Sequence, residues 1–118
     1  MAKMTARLTG DFDYWLNKIE NGIVNGSVSA SLEEADDNRT GDTRCSVRVF
    51  ERYSFMGGNR VSLTVVLFGR DGDIHLTAIA AGGSQAMFFK INTFGEEAFL
   101  EQLVEVVERF RSAAAIPR

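Results

Sequence analysis

Alternation of apolar and polar side chains is the dominant pattern along this chain. It recurs in five segments, at residues 3–9, 27–33, 43–53, 60–68 and 74–80. A period of two is typical of strands that bury one face, so the pattern predicts five strands. Residues 85–91 are a candidate sixth strand.

Two further segments have the spacing of amphipathic helices. In the first, Asp11 occupies an N-cap position and the apolar residues from Trp15 to Ile23 repeat every three or four positions. In the second, Thr93-Phe94-Gly95-Glu96 matches a capping box and precedes an apolar stripe from Phe99 to Phe110. We expect the first helix to end near residue 24 and the second to begin at the capping box.

The turns between these segments predict an antiparallel sheet. Gly57-Gly58 and the segment Gly69-Arg70-Asp71-Gly72-Asp73 are typical of hairpin turns, and the acidic residues 35–42 are expected to form a loop. The resulting order, β-α-β-β-β-β-β-α, predicts a two-layer α+β fold, with a mostly antiparallel sheet of five or six strands and two helices on one face. We expect a single domain over residues 1–112 and a flexible tail over 113–118.

The predicted strand faces indicate a surface for a partner. In segment 43–53 the alternation directs Cys45, Val47 and Val49 toward the helices and the arginines outward. The outward set contains four apolar side chains with one arginine at their rim: Phe50, Val66, Phe68, Ile79 and Arg48. Apolar groups on the helix-free face of a sheet often form an interface, so we predict a symmetric homodimer through this face.

The outward arginines also allow other interpretations. Arg44, Arg48 and Arg52 share one parity, and such a ladder could bind anions or single-stranded nucleic acid. An ordinary salt-bridged surface, with Glu33 on a neighbouring strand as partner, explains the same pattern.

Two glycine-pair turns form a candidate ligand site at one rim of the sheet. Their bare backbone N–H groups could face an anion or the polar edge of a ligand. The candidate residues are Gly57, Gly58, Asn59, Arg60, Gly82, Gly83, Ser84 and Gln85. Neither turn matches a phosphate-binding motif, and tight turns alone would also explain the glycines.

Catalytic and metal-binding sets are not recognisable in the sequence. Cys45 and His75 could form a nucleophile–base pair, but their predicted parities place them on opposite faces. The acidic turn residues lack the spacing of a calcium-binding loop. We therefore expect no catalytic residues, no metal and no cofactor.

Composition limits the environment and the partners. The 118 residues carry a net charge of −3, which argues against general binding to nucleic acid or anionic membranes. Cys45 is the single cysteine, and no segment has the length and apolarity of a signal peptide or a membrane span. We expect a soluble cytoplasmic protein.

Three segments resemble a known protein family: residues 44–53 (RCSVRVFERY), 55–63 (FMGGNRVSL) and 82–95 (GGSQAMFFKINTFG). They are similar to those of short bacterial proteins, known mainly from Firmicutes, that are described only as a domain of unknown function. The resemblance implies a bacterial cytoplasmic protein and no particular activity. The element order is separately similar to a pared-down helix-grip domain, an analogy of fold that implies no function.

The sequence is compatible with three hypotheses about function. The chain could be an interaction module that works as a homodimer. It could instead bind a small-molecule or lipid-like ligand at the rim of the glycine-pair turns. An enzyme of unassigned type is the third hypothesis and has the least support.

Overall fold

The fold is an antiparallel sheet with two helices. The structure is a computed structural model that describes residues 1–53, 59–82 and 89–115. The elements are β1 (Ala2–Thr9), α1 (Phe12–Asn25), β2 (Ser31–Thr40), β3 (Thr43–Tyr53), β4 (Arg60–Arg70), β5 (Asp73–Gly82) and α2 (Phe89–Ala115). The predicted α+β class and element order are confirmed.

The strands lie in the order β1-β5-β4-β3-β2, and every neighbouring pair is antiparallel. Strands β2 to β5 form a meander, and β1 pairs with β5 at the far edge. The β4–β5 turn has Asp71 and Gly72 at φ values of 53° and 81°. Two positive φ values in a two-residue turn match a type I′ hairpin, a turn type that Asp-Gly dipeptides favour.

Both helices cover one side of the sheet, which we call the inner face. Asp11 caps α1 as predicted, since its carboxylate accepts a hydrogen bond from the Tyr14 N–H at 2.8 Å. Buried side chains of both helices, including Ile19 and Phe99, pack on alternate residues of β1, β4 and β5. The opposite, helix-free side is the outer face.

The predicted positions of β2 and of the loop beside it are wrong. Residues 27–29 form turns and bends after α1, and the acidic segment lies within the ten-residue β2. Only Gly41 and Asp42 form the turn to β3, with Gly41 at a φ of 59°. Pairing with β3 along most of its length outweighs the low strand preference of Asp and Asn in β2.

The predicted faces of β3 are inverted. Phe50 is fully buried and pairs with Leu63, so Phe50 and the arginines lie on the inner face. Cys45, Val47 and Val49 are half-buried on the outer face. The arginines fit the inner face because the helices and β2 supply polar partners for their guanidinium groups.

The second helix also begins earlier than expected. Helix α2 starts at Phe89. Residues 89–91 are therefore helical and do not belong to the strand that was predicted over 85–91. Residues 83–88, the rest of that predicted strand, lie outside the described residues. The capping box is wrong for the same reason, because Glu96 lies inside α2. At the other end, α2 continues to Ala115 into the segment predicted as a tail.

Candidate functional site

The outer face is built from rows of side chains that cross all five strands. One row runs Arg7, His75, Phe68, Cys45, Asn38 from β1 to β2. The next row runs Thr5, Thr77, Val66, Val47, Asp36, and the third runs Lys3, Ile79, Thr64, Val49, Glu34. This register fixes which side chains are neighbours on the exposed surface.

Apolar side chains occupy the middle of these rows. We call this group the apolar patch: Val47, Val49, Val66, Phe68 and Ile79. Phe68 is 50% exposed and Ile79 is 38% exposed, and the three valines of the patch are half-buried. A contiguous apolar surface of this kind on a helix-free sheet is typical of a partner interface.

Opposite charges flank the apolar patch at the two edges of the sheet. Lys3 and Arg7 extend from β1, whereas Glu34 and Asp36 extend from β2. Arg7 forms an ion pair with Asp73 at 2.8 Å, which raises the pKa of Arg7 and lowers that of Asp73 through their hydrogen bonds. Within the described residues, Lys3, Glu34 and Asp36 have no ion-pair partner.

Three of the five predicted interface residues lie on this face. Val66, Phe68 and Ile79 face outward as expected. Arg48 and Phe50 do not, because they are only 6% and 0% exposed and face the helices. Val47 and Val49 lie on the outer face in their place. Phe50 shares its parity with the arginines, and a large aromatic side chain at that parity was the sequence signal that this side of β3 faces the core.

The arginine ladder lies beneath the helices and holds β3 to them. Arg44 forms an ion pair with Asp13 at 2.7 Å, and its guanidinium lies 4.3 Å from the centre of the Phe12 ring. The hydrogen bond between the two side chains raises the pKa of Arg44 and lowers that of Asp13. The ladder is therefore not available on the outer face for nucleic acid or other anions.

Arg48 is the most enclosed member of the ladder. It forms ion pairs with Glu20 of α1 and with Asp37 of β2. Burial opposes its charge, but hydrogen bonds to these two carboxylates outweigh it and raise the pKa of Arg48. The Ser46 hydroxyl also donates to Asp37, and this bond followed by the contact with Arg48 lowers the pKa of Asp37.

Arg52 is held differently, through an amide. Its guanidinium donates to Gln102 Oε1 at 2.7 Å and lies 4.6 Å from the centre of the Phe99 ring. Gln102 Nε2 in turn donates to the carbonyl of Ile23 at 3.0 Å, in the last turn of α1. Burial lowers the pKa of Arg52. The arginine charge thus reaches the negative end of the α1 dipole through one side-chain amide.

Cys45 and His75 lie on the same face, contrary to the sequence prediction. They occupy one row with Phe68 between them, so two strand spacings, about 10 Å, separate their backbones. A nucleophile and its base need hydrogen-bond distance, so this pair does not form a catalytic dyad.

The predicted rim site is described only in part. Gly57, Gly58, Gly83, Ser84 and Gln85 lie outside the described residues. Asn59 precedes β4, and Arg60 donates to Glu51 at 2.7 Å and lies 5.3 Å from the Tyr53 ring centre. The Gly82 N–H donates to the buried carboxylate of Glu96 at 2.7 Å, and Glu96 also binds the N-terminal amino group. A ligand at this rim stays a prediction.

A groove lies between the helices, on the side away from the sheet. Its volume is about 490 Å³, and it is lined by residues that include Lys18, Asn21, Glu105 and Arg109. Lys18 and Arg109 both lie over Phe110, with Nζ and Cζ at 5.0 and 5.9 Å from its ring centre. No sequence pattern predicted this groove, since it depends on how the two helices pack.

Metal binding and membrane insertion each need a recognisable arrangement of residues. Among residues 1–53, 59–82 and 89–115, no group of three or more His, Cys, Asp or Glu side chains is placed to hold a metal ion. In the same part of the chain, neither helix combines the length and apolarity needed to cross a bilayer.

Comparison with known proteins gives a family and no activity. Residues 1–111 match the Family of unknown function (DUF6054). Neither the curated proteins nor the solved structures compared with the chain gave a match. The predicted resemblance to a family of unknown function is confirmed at this level.

Proposed function

Since the chain belongs to DUF6054, a family of unknown function, we propose a function from the surface of the protein. The chain is a non-catalytic interaction module that works as a homodimer through the outer face. The observation that supports this most strongly is the apolar patch. Both helices pack on the inner face, so no element that the structure describes covers the patch on the outer face.

The charge on the outer face favours a second copy as the occupant. A basic edge on β1 and an acidic edge on β2 flank one apolar centre. A surface with both signs on opposite sides can be complementary to itself in a two-fold dimer, which most foreign partners would not match. The outer polar residues would then form the rim around a dry centre.

The cysteine content supports a reducing compartment for this module. Cys45 is the single cysteine and lies on the outer face, so it has no intramolecular disulfide partner. We place the protein in the cytoplasm on this ground.

The proposal is tested by the oligomeric state of two patch variants. Phe68→Asp and Ile79→Asp each bring two charges into the centre of a symmetric dimer, so dissociation constants should rise at least tenfold. Val28→Asp is the control, because Val28 is fully exposed outside the sheet. Sedimentation equilibrium should give dimers for the wild type and Val28→Asp and monomers for the patch variants.

Two results would overturn the proposal. One is a wild-type chain that stays monomeric at high concentration. The other is a dimer that persists with unchanged affinity in both patch variants. Circular dichroism and urea unfolding check that the variants fold. Phe68 and Ile79 are both exposed enough for an aspartate at either position to be solvated in the monomer.

A further inference from the structure

The charges on the outer face define how two copies would be oriented. We infer that the two-fold axis of the dimer runs along β4, so that Lys3 of one copy lies opposite Glu34 of the other. This inference rests on the proposed dimer through the outer face. It assigns ion-pairing roles to the two edge strands.

The position of the axis follows from the centre of the apolar patch. Strand β4 is the middle strand of the five, and the apolar patch extends from it to β3 and β5. An axis that lies over β4, between the two stacked sheets, therefore places the patch at the centre of the interface. It also places Phe68 beside its own counterpart, where two aromatic rings can pack against each other.

The direction of the axis follows from the opposite charges at the two edges of the sheet. Two sheets that stack face to face with aligned strands can be related by an axis along the strands or across them. An axis along β4 exchanges the two edges, so the basic β1 of one copy lies over the acidic β2 of the other. An axis across the strands places each edge over its own counterpart, so the basic β1 faces β1 and the acidic β2 faces β2.

The register makes the correspondence specific to one row. Lys3 and Glu34 are the two ends of the row that passes through Ile79, Thr64 and Val49. An axis along β4 keeps each row opposite itself, so Lys3 faces Glu34 of the second copy twice in each dimer. Both side chains are exposed in the single chain, and neither has an ion-pair partner within the described residues.

A charge-exchange experiment isolates this contact. Within one chain, Lys3 and Glu34 are four strand spacings apart, about 19 Å, so they cannot pair with each other. At about 0.1 M salt the Debye length is about 10 Å, so their mutual effect in the monomer is screened. Any coupling between the two substitutions then reports a contact between copies.

The variants are Lys3→Glu, Glu34→Lys and the double variant that carries both, compared with the wild type by sedimentation equilibrium. Each single variant creates two like-charge contacts and should raise the dissociation constant about threefold or more. The double variant restores both contacts with their signs exchanged, so its dissociation constant should return to within about twofold of the wild type.

The outcomes separate the axis from the dimer itself. Recovery in the double variant supports the axis along β4. A double variant as weak as the product of the two single effects, together with monomers for Phe68→Asp, overturns the axis and leaves the outer-face dimer intact. A wild-type chain that does not dimerise overturns both.

Discussion

At the scale of single residues, Gln102 connects three elements with one side chain. Its amide oxygen accepts from Arg52 of β3, and its amide nitrogen donates to the carbonyls of Gly22 and Ile23 in α1. A single amide thus satisfies a partly buried cation and the end of a helix whose last turn contains no basic residue. Gln102 therefore links the sheet to both helices.

Replacing Gln102 with methionine should destabilise the fold by about 2–3 kcal/mol. The substitution keeps the side-chain length but leaves the Arg52 guanidinium and the α1 carbonyls without this partner. Glu101→Met, at the exposed neighbouring position, should change the free energy of unfolding by less than about 0.5 kcal/mol. Urea unfolding measures both, and equal effects of the two substitutions would show that Gln102 has no special role.

Asp37 gives the fold a pH dependence of known sign. Its pKa is lowered in the folded state, first by the Ser46 hydroxyl and then by Arg48. A lowered pKa stabilises the fold above the unfolded value of about 3.9 and loses this effect as the pH falls through the folded value. The wild type should therefore exceed Asp37→Asn in stability at neutral pH, and the gap should close below about pH 4.

Urea midpoints of the two proteins across this pH range test the prediction. A gap that stays the same from neutral pH down to about pH 3 would contradict it. Asp13 and Asp73, whose pKa values are also lowered by arginine partners, should make the wild type lose stability over the same range.

At the scale of elements, the helices approach each other closely at one glycine. A Cβ atom on Gly22 of α1 would lie 2.6 and 2.8 Å from the two methyl carbons of Val106 in α2. Val106 is almost fully buried, so it has little room to move. The glycine at this position is therefore explained by helix packing.

Gly22→Ala should destabilise the wild type by about 1 kcal/mol, because the clash with Val106 exceeds the gain in helix propensity. In a Val106→Ala background both methyl contacts are removed and only the Cβ at 3.3 Å remains, so the same substitution should stabilise by up to about 1 kcal/mol. A double-mutant cycle of urea unfolding energies measures this reversal of sign. An identical effect of Gly22→Ala in both backgrounds would contradict the packing explanation.

The sequence predicted the elements better than their faces. Asp11, the Asp71-Gly72 turn and the two amphipathic stripes are local signals, and they placed α1, the β4–β5 hairpin and α2 in the right order. The faces of β3 could not be settled locally, because that strand carries apolar residues on both sides. Only the pairing of Phe50 with Leu63 and the polar partners on the helices determine that the arginines lie inside.

The candidate site was also predictable only in part. Val66, Phe68 and Ile79 were placed on the correct face because they share the parity of the polar residues Ser62, Thr64, His75 and Thr77. The acidic half of the surface was missed, since β2 has the composition of a loop and becomes a strand through pairing with β3. The complementary charges of the two edges depend on a sheet order that no local pattern contains.

At the scale of the whole molecule, the outer face has no partner among residues 1–53, 59–82 and 89–115. The inner face is covered by two helices, whereas the outer face presents an apolar centre between a basic and an acidic edge. A symmetric dimer would cover the apolar patch and pair the free charges in a single step. Association and fold would then reinforce each other, since dimer formation stabilises the folded chain by mass action.

The most direct test of the outer-face dimer is the reaction of Cys45 with an excess of maleimide. Cys45 is the single cysteine and lies in the same row as Phe68, so dimer formation should shield it. We predict a labelling rate constant that falls as the protein concentration rises in the wild type and stays constant in Phe68→Asp. A wild-type chain that dimerises while its Cys45 reacts at the same rate at every concentration would contradict the account.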